Sequence, residues 1–172
     1  MRAACEEAAQ GEVVQAVNFN APGQIVIAGH KAAVARAMEA CKARGAKRAL
    51  PLPVSAPFHS SLMRPAAEKL RGYLEQVSLK VPAIDLINNV DVAVRAQQAE
   101  IKDALVRQAA SPVRWVETIR KMKAMGVTHV VECGPGKVLA GMTKRIDADL
   151  QSHALADKAS LEQALAALQG AA

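Results

Sequence analysis

The sequence predicts an α/β fold in two parts. Up to residue 55 the hydrophobic patterning runs helix, strand, strand, helix, strand, and beyond it strands alternate with helices in the manner of parallel pairing. A third observation is composition. With 51% hydrophobic residues and 22% charged ones, the 172 residues have enough apolar surface to bury a real core.

Each element has a local reason. Met1–Ala9 has helical periodicity and stops at Gly11. "VVQAVNFN" (Val13–Asn20) alternates like a strand, "APGQ" turns, and "IVIAG" (Ile25–Gly29) is a short apolar run, which together make a hairpin signal. "HKAAVARAMEACKARG" puts Val34, Met38 and Cys41 on one helical face and closes on Gly45. "KRALPLPV" (Lys47–Val54) is expected to return as a strand. That order matches a ferredoxin-like unit without its first strand, and a sheet lacking a member leaves an open edge that natural domains protect. The chain is therefore expected to begin in mid-domain. We take residues 1–55 as this incomplete small subdomain and 56–172 as the second.

In the second part, "SLMRPAAEKLRGYLEQV" is a helix that tolerates Pro65 in its first turn. "AIDLINN" is expected as a strand, "AEIKDALVRQAA" and "VRWVETIRKMKAMG" as helices, "THVVECGPG" as a strand entering a glycine turn, and "KVLAGMTKRI" as a helix. "SLEQALAALQ" closes the chain as a helix with Ser160 as its expected cap.

Composition excludes several functions. The net charge is +6, yet Phe19, Phe58, Tyr73 and Trp115 are the only aromatics, so stacking platforms for nucleic acid are missing. The positive balance points to small anions or an acidic protein, with a generally solvated basic surface as the plainer reading. Cys5, Cys41 and Cys133 are odd in number and far apart, as expected of reduced thiols in a cytoplasmic protein. No apolar run reaches the roughly 20 residues a membrane helix needs, so no membrane partner is expected.

Two motifs fail as ligand sites. "ECGPGKVLAG" has Val131 where a phosphate-binding loop needs glycine and Val138 where it needs Ser or Thr, so a packed turn is the better reading. His30, His59, His129 and His153 lie on separate segments with no zinc-helix spacing, and no metal is expected. His30 is read as starting a helix, His129 as part of a buried strand, and His153 as exposed.

His59, in "PVSAPFHSSLM", is expected at a strand-to-helix junction, where α/β proteins expose reactive groups. As a general base it needs a Ser or Cys within reach. No G-x-S-x-G elbow occurs in the sequence, and Ser55, Ser60 and Ser61 are too close along the chain for attack. The alternative is a polar loop residue beside a helix-capping Ser60 or Ser61.

Six segments, "VNFNAPGQIVIAG", "GAKRALPLPVSAPFHSSLM", "INNVD", "DALVRQ", "SPVRW" and "ECGPGKVLAGMTKRI", resemble consecutive stretches of the malonyl-CoA:acyl carrier protein transacylases of bacterial fatty-acid synthesis. The resemblance runs the length of the chain. It implies an α/β-hydrolase-like large subdomain beside the ferredoxin-like small one. It also implies malonyl transfer from coenzyme A to the phosphopantetheine thiol of acyl carrier protein, with no cofactor beyond the thioester substrate. His59 corresponds to the histidine that activates the family's serine, and Gln108 to the residue whose backbone carbonyl orients it. Asn20 and Gln24 correspond to positions near the acyl pocket, and Asn89 to one near the histidine loop. Lys47 and Arg48 match basic residues at the coenzyme A or pantetheine entrance. Phe58 occupies the place before the histidine that, in related polyketide acyltransferase domains, goes with malonyl over branched units. Its alternative is packing at a subdomain interface.

The departure from the family is large. The oxyanion segment, the serine elbow and the arginine that grips the malonyl carboxylate have no counterpart in these residues. The expected partner is therefore a missing N-terminal half that carries the nucleophile, and the chain alone is expected to be inactive. A non-catalytic module binding acyl carrier protein or pantetheine is the competing reading.

Overall fold

The computed structural model describes residues 1–170. They form two compact units, one of Met1–Phe19 with Gln24–Arg114, the other of Asn20–Gly23 with the residues from Trp115 on.

The first unit opens with α1 (Arg2–Ala9), which ends where Gln10 and Gly11 turn left-handed, with φ of 47° and 87°. Strands β1 (Val14–Ala21) and β2 (Gln24–Gly29) pair across the Pro22-Gly23 turn, where Gly23 takes φ 75°. α2 (Lys31–Ala43) follows. Cys5 and Ala8 of α1 pack with Ala33 and Ala37 of α2 and with Val14, and Ile27 and Val34 close the cluster. Alanine at these contacts lets the two helix backbones approach closely. Arg36 donates from Nε to Ala8 O (2.8 Å) and from Nη2 to Ala9 O (3.0 Å) and Glu12 (2.9 Å). It thereby satisfies carbonyls that the end of α1 leaves without helical partners. A Cβ on Gly29 would stand 2.0 Å from Val13 O and 2.6 Å from Val14 Cα, so the start of β1 lies directly against that glycine.

Two expected strands do not form. Lys47–Val54 is irregular, and Val54 N–H turns back to Leu52 O at 2.9 Å instead of meeting a neighbouring strand. Pro51 and Pro53 remove two donors from any ladder, which outweighs the apolar alternation of Leu50, Leu52 and Val54. Those three side chains are exposed. "AIDLINN" yields only an isolated antiparallel bridge, Ile87 with Val94, around a turn in which Val92 takes φ 57°. Asn88 closes that turn by accepting the Val92 N–H on its carbonyl at 3.0 Å and the Asp91 N–H on its side chain at 2.7 Å. Asparagine prefers this local bonding to a ladder. The expected helices do form: α3 (Arg64–Glu75), entered through a 3₁₀ turn at Ser61–Met63, packs on α4 (Gln98–Ala109).

The second unit contains α5 (Trp115–Ala124), β3 (His129–Cys133), α6 (Val138–Ile146), β4 (Gln151–Leu155) and α7 (Lys158–Gln169). β3 and β4 pair in parallel, His129 with Gln151 through Cys133 with Leu155, with α6 as the crossover. The parallel pairing was expected, but β4 was not, because "QSHAL" is short and half polar. His129 is half-buried rather than buried. His153, expected on the surface, is half-buried in β4 with its ring stacked on His129, centroids 5.8 Å apart. α7 is capped by Asp157, which accepts the Ser160 N–H at 2.8 Å while Ser160 Oγ accepts the Asp157 N–H at 3.0 Å. Ser160 is thus the inner half of a capping box, not the cap itself.

Candidate active site

The loop bearing His59 is a tight turn. Ser60 N–H donates to Pro57 O at 3.2 Å, and the fully buried Ser60 hydroxyl donates to the same oxygen at 2.6 Å. Ser60 therefore serves the turn, and neither it nor Ser61 caps a helix with its side chain. His59 takes φ 63°, a left-handed conformation that costs a non-glycine residue on the order of 1 kcal/mol. Gln15 of β1 helps to hold the turn, its Oε1 accepting the Ser61 N–H at 2.8 Å.

His59 Nδ1 lies 3.0 Å from the backbone oxygen of Gln108. A carbonyl can only accept, so Nδ1 carries the proton and the neutral ring presents its lone pair at Nε2. The acceptor is available because α4 ends at Ala109, and the last carbonyls of a helix have no partner within it. The adjacent Arg107 oxygen is taken by the Ala110 N–H at 3.2 Å. The half-buried ring thus has one nitrogen fixed and one free to take a proton.

Gln108 works at both ends. Its side-chain Oε1 accepts the Asn89 N–H at 3.0 Å, which ties α4 to the turn at residues 88–92. The neighbouring Arg107 forks onto Asp91 of the same turn at 2.7 and 2.8 Å and also reaches Asp103 at 2.6 Å. The Arg107 guanidinium, with a smaller contribution from Arg95, holds the Asp91 carboxyl down at about 2. Because that value lies below the unfolded one, the pair stabilises the fold fully above about pH 4 and loses its effect as pH falls toward 2. We expect acid unfolding of the wild type to carry about 1 kcal/mol from this pair after solvent screening. Asp91→Asn should flatten the stability profile between pH 4 and 2 in denaturant titrations, and an unchanged profile would refute the assignment.

The structure joins His59, Gln108 and Asn89. Phe58, next to His59, is 48% exposed. Lys47 and Arg48 lie on exposed irregular chain. Asn20 and Gln24 sit on either side of the β1–β2 turn. Sequence reasoning missed Gln15, Asp91 and Arg107. The last two stand inside quoted segments, and Asp103–Arg107 has the i, i+4 spacing of a helical ion pair. At the "ECGPGK" turn, the Glu132 carboxylate accepts the Ala140 N–H of α6 at 2.9 Å. An anion at that helix start would meet negative charge, so the turn reading stands over phosphate binding. Among the described residues, no group of three or more His, Cys, Asp or Glu is placed to hold a metal ion. Nor is any helix among them long and apolar enough to cross a membrane.

Known proteins resemble this chain along most of its length. Malonyl CoA-acyl carrier protein transacylases of Salmonella typhimurium and Escherichia coli are 56% and 55% identical over 162 residues, 94% of this chain and 52% of each relative. The chain thus spans about half the length of the curated relatives it matches. An acyl-carrier-protein S-malonyltransferase from Burkholderia pseudomallei superposes with a TM-score of 0.93 at 63% identity, over 95% of this chain and 53% of that one. A malonyl-transacylase solved in complex with a type II PKS acyl carrier protein superposes at 0.94 with 53% identity, again over 95% of this chain and 53% of that one. The model of the acyl transferase domain matches residues 2–166. The chain belongs to the acyl transferase domain family.

Proposed function

We propose that this chain supplies the general base and part of the substrate entrance of a malonyl-CoA:acyl carrier protein transacylase, with the serine nucleophile contributed from outside these 172 residues. The observation that carries the proposal is the 3.0 Å contact of His59 Nδ1 with Gln108 O, which leaves Nε2 free to accept a hydroxyl proton. His59 takes the serine proton as the oxygen attacks the malonyl thioester, and the imidazolium then protonates the departing coenzyme A thiolate. In the second half, His59 takes the proton of the phosphopantetheine thiol, whose sulfur attacks the malonyl ester, and returns it to the serine. No cofactor takes part. In this reading residues 1–55 are the incomplete ferredoxin-like subdomain, 56–172 belong to the hydrolase-like subdomain, and the protein works in the cytoplasm. By resemblance to the family, Asn20 and Gln24 correspond to positions near the acyl pocket, Phe58 to one that goes with the choice of acyl unit, and Asn89 to one near the histidine loop.

The test is complementation. The purified chain is mixed with the unmatched portion of the Escherichia coli relative, which is produced separately, and malonyl transfer to acyl carrier protein is followed. Transfer by the mixture but by neither part supports the proposal. Carrier-protein binding without transfer would favour a non-catalytic module instead. Malonyl found on a serine of the chain alone would overturn the claim that the nucleophile comes from elsewhere.

Lys47 and Arg48 are proposed to face the coenzyme A phosphates or the acidic carrier protein, on the strength of their exposure and charge. Replacing both with Ala should raise KM by roughly 3- to 10-fold and flatten its salt dependence, with kcat little changed. A KM that keeps its value and its salt slope would return both residues to the general basic surface.

A further inference from the structure

Three features meet around the C-terminal end of α4. First, a surface hollow of about 120 Å³ lies along α4, lined by Leu86, Asn89, Ile101, Leu105 and Gln108 among others, with Leu86 and Leu105 exposed. The end of α4 thus has one side open to solvent, and a helix end with free carbonyls frays unless something anchors it. Second, two consecutive residues of that last turn are tied to one loop: Arg107 to Asp91 through a two-pronged ion pair, and Gln108 to Asn89 through its amide oxygen. A guanidinium fork on a carboxylate fixes direction as well as distance, which a lysine could not do. Third, the loop is itself preformed. Asn88 accepts the Asp91 and Val92 N–H groups at 2.7 and 3.0 Å, Asn88 N–H reaches Ala93 O at 3.2 Å, and Arg114 Nη1 reaches Val90 O at 3.3 Å. The charges around the pair extend it in both directions, with Arg95 on Asp91 (3.4 Å), Glu100 on Arg95 (3.6 Å) and Arg71 on Asp103 (3.9 Å).

We propose that Asp91 and Arg107 are positioning residues for the base: their ion pair clamps the last turn of α4 onto the 88–92 loop, and so aims the Gln108 carbonyl at His59 Nδ1 and selects the imidazole tautomer. The inference rests on the proposed role of His59 for its catalytic meaning, but the tautomer itself is measurable without any turnover. The energetic logic follows from the histidine's backbone. A left-handed residue in a short turn is held by its contacts, and among the described residues the ring's polar contact is this carbonyl. If the carbonyl swings away, nothing in the turn prefers Nδ1–H.

The experiment is nitrogen-15 NMR of the full 172-residue chain, reading the His59 ring nitrogens at a pH where the ring is neutral. The variants are Asp91→Asn, Arg107→Lys and Lys123→Ala. The last breaks a comparable clasp in the second unit, where Lys123 bonds Asp147 at 2.7 Å and Asp149 at 2.8 Å. The wild type is expected to hold the Nδ1–H form. Asp91→Asn should raise the Nε2–H population by roughly threefold or more, while Lys123→Ala leaves it unchanged. Arg107→Lys, which keeps the charge and loses the fork, should give the same shift and stands in if Asp91→Asn does not fold. An unchanged tautomer in a folded Asp91→Asn or Arg107→Lys chain overturns the proposal, as does an equal shift in Lys123→Ala. Failure of complementation with the tautomer shift intact would remove the catalytic role of His59 and leave the positioning of its ring standing.

Discussion

His59→Ala is expected to lower malonyl transfer by the complemented enzyme by roughly two to four orders of magnitude, the usual loss when a general base is removed. The argument starts from proton affinity. A serine hydroxyl is a poor nucleophile until a base takes its proton, and the base must present a lone pair while neutral. The Gln108 carbonyl fixes Nδ1 as the donor and leaves Nε2 as that lone pair. Alanine removes the base and leaves Gln108 O without its ring partner, yet the half-exposed loop should still fold. The loss should therefore fall on kcat with KM close to wild type. Rates measured with the complementing polypeptide in excess separate this from weakened assembly. A change under about threefold would make His59 a structural residue only.

Gly29→Ala should destabilise the chain by about 3 kcal/mol or more, among the largest effects open to a single methyl group. Here the cause is backbone contact, not conformation. The added Cβ would lie 2.0 Å from Val13 O and 2.6 Å from Val14 Cα, and backbone cannot step aside as a flexible side chain can. That oxygen also accepts the His30 N–H at 2.8 Å, while His30 Nδ1 accepts the Val13 N–H at 2.9 Å. Relieving the clash would therefore break a reciprocal pair joining the start of β1 to the start of α2. Urea titration would register the loss as a lower midpoint, and a shift worth less than about 1 kcal/mol would mean that β1 moves away freely. Gly72→Ala makes a useful contrast, since its Cβ meets nothing within 4 Å and alanine favours the helix.

Most of the fold was legible because helices announce themselves locally. The stop after α1, the hairpin turn at Gly23 and the left-handed Gly45 after α2 each follow from one or two residues. The errors came where pairing must be supplied by distant chain. "KRALPLPV" has a strand's alternation, but Pro51 and Pro53 withhold donors and the described residues give it no partner strand. "QSHAL" has weak alternation, yet β3 lends it a complete parallel register. The site divides in the same way. His59 could be singled out from its position, and its Gln108 acceptor from family resemblance. The contributions of Gln15, Asp91 and Arg107 depend on contacts spanning 16 to 46 residues of chain, which local pattern does not encode.

The left-handed turn at His59 has a practical consequence. Glycine is the residue that such a backbone accepts without strain, so His59→Gly would relax the loop while emptying the space of the ring. The vacancy would keep its acceptor, the Gln108 oxygen, at one wall. A free imidazole could then lodge there and restore the proton relay from solution, turning the base into a soluble reagent. A complemented enzyme of this kind would be silent until dosed, its turnover rising with the imidazole added until the vacancy is filled.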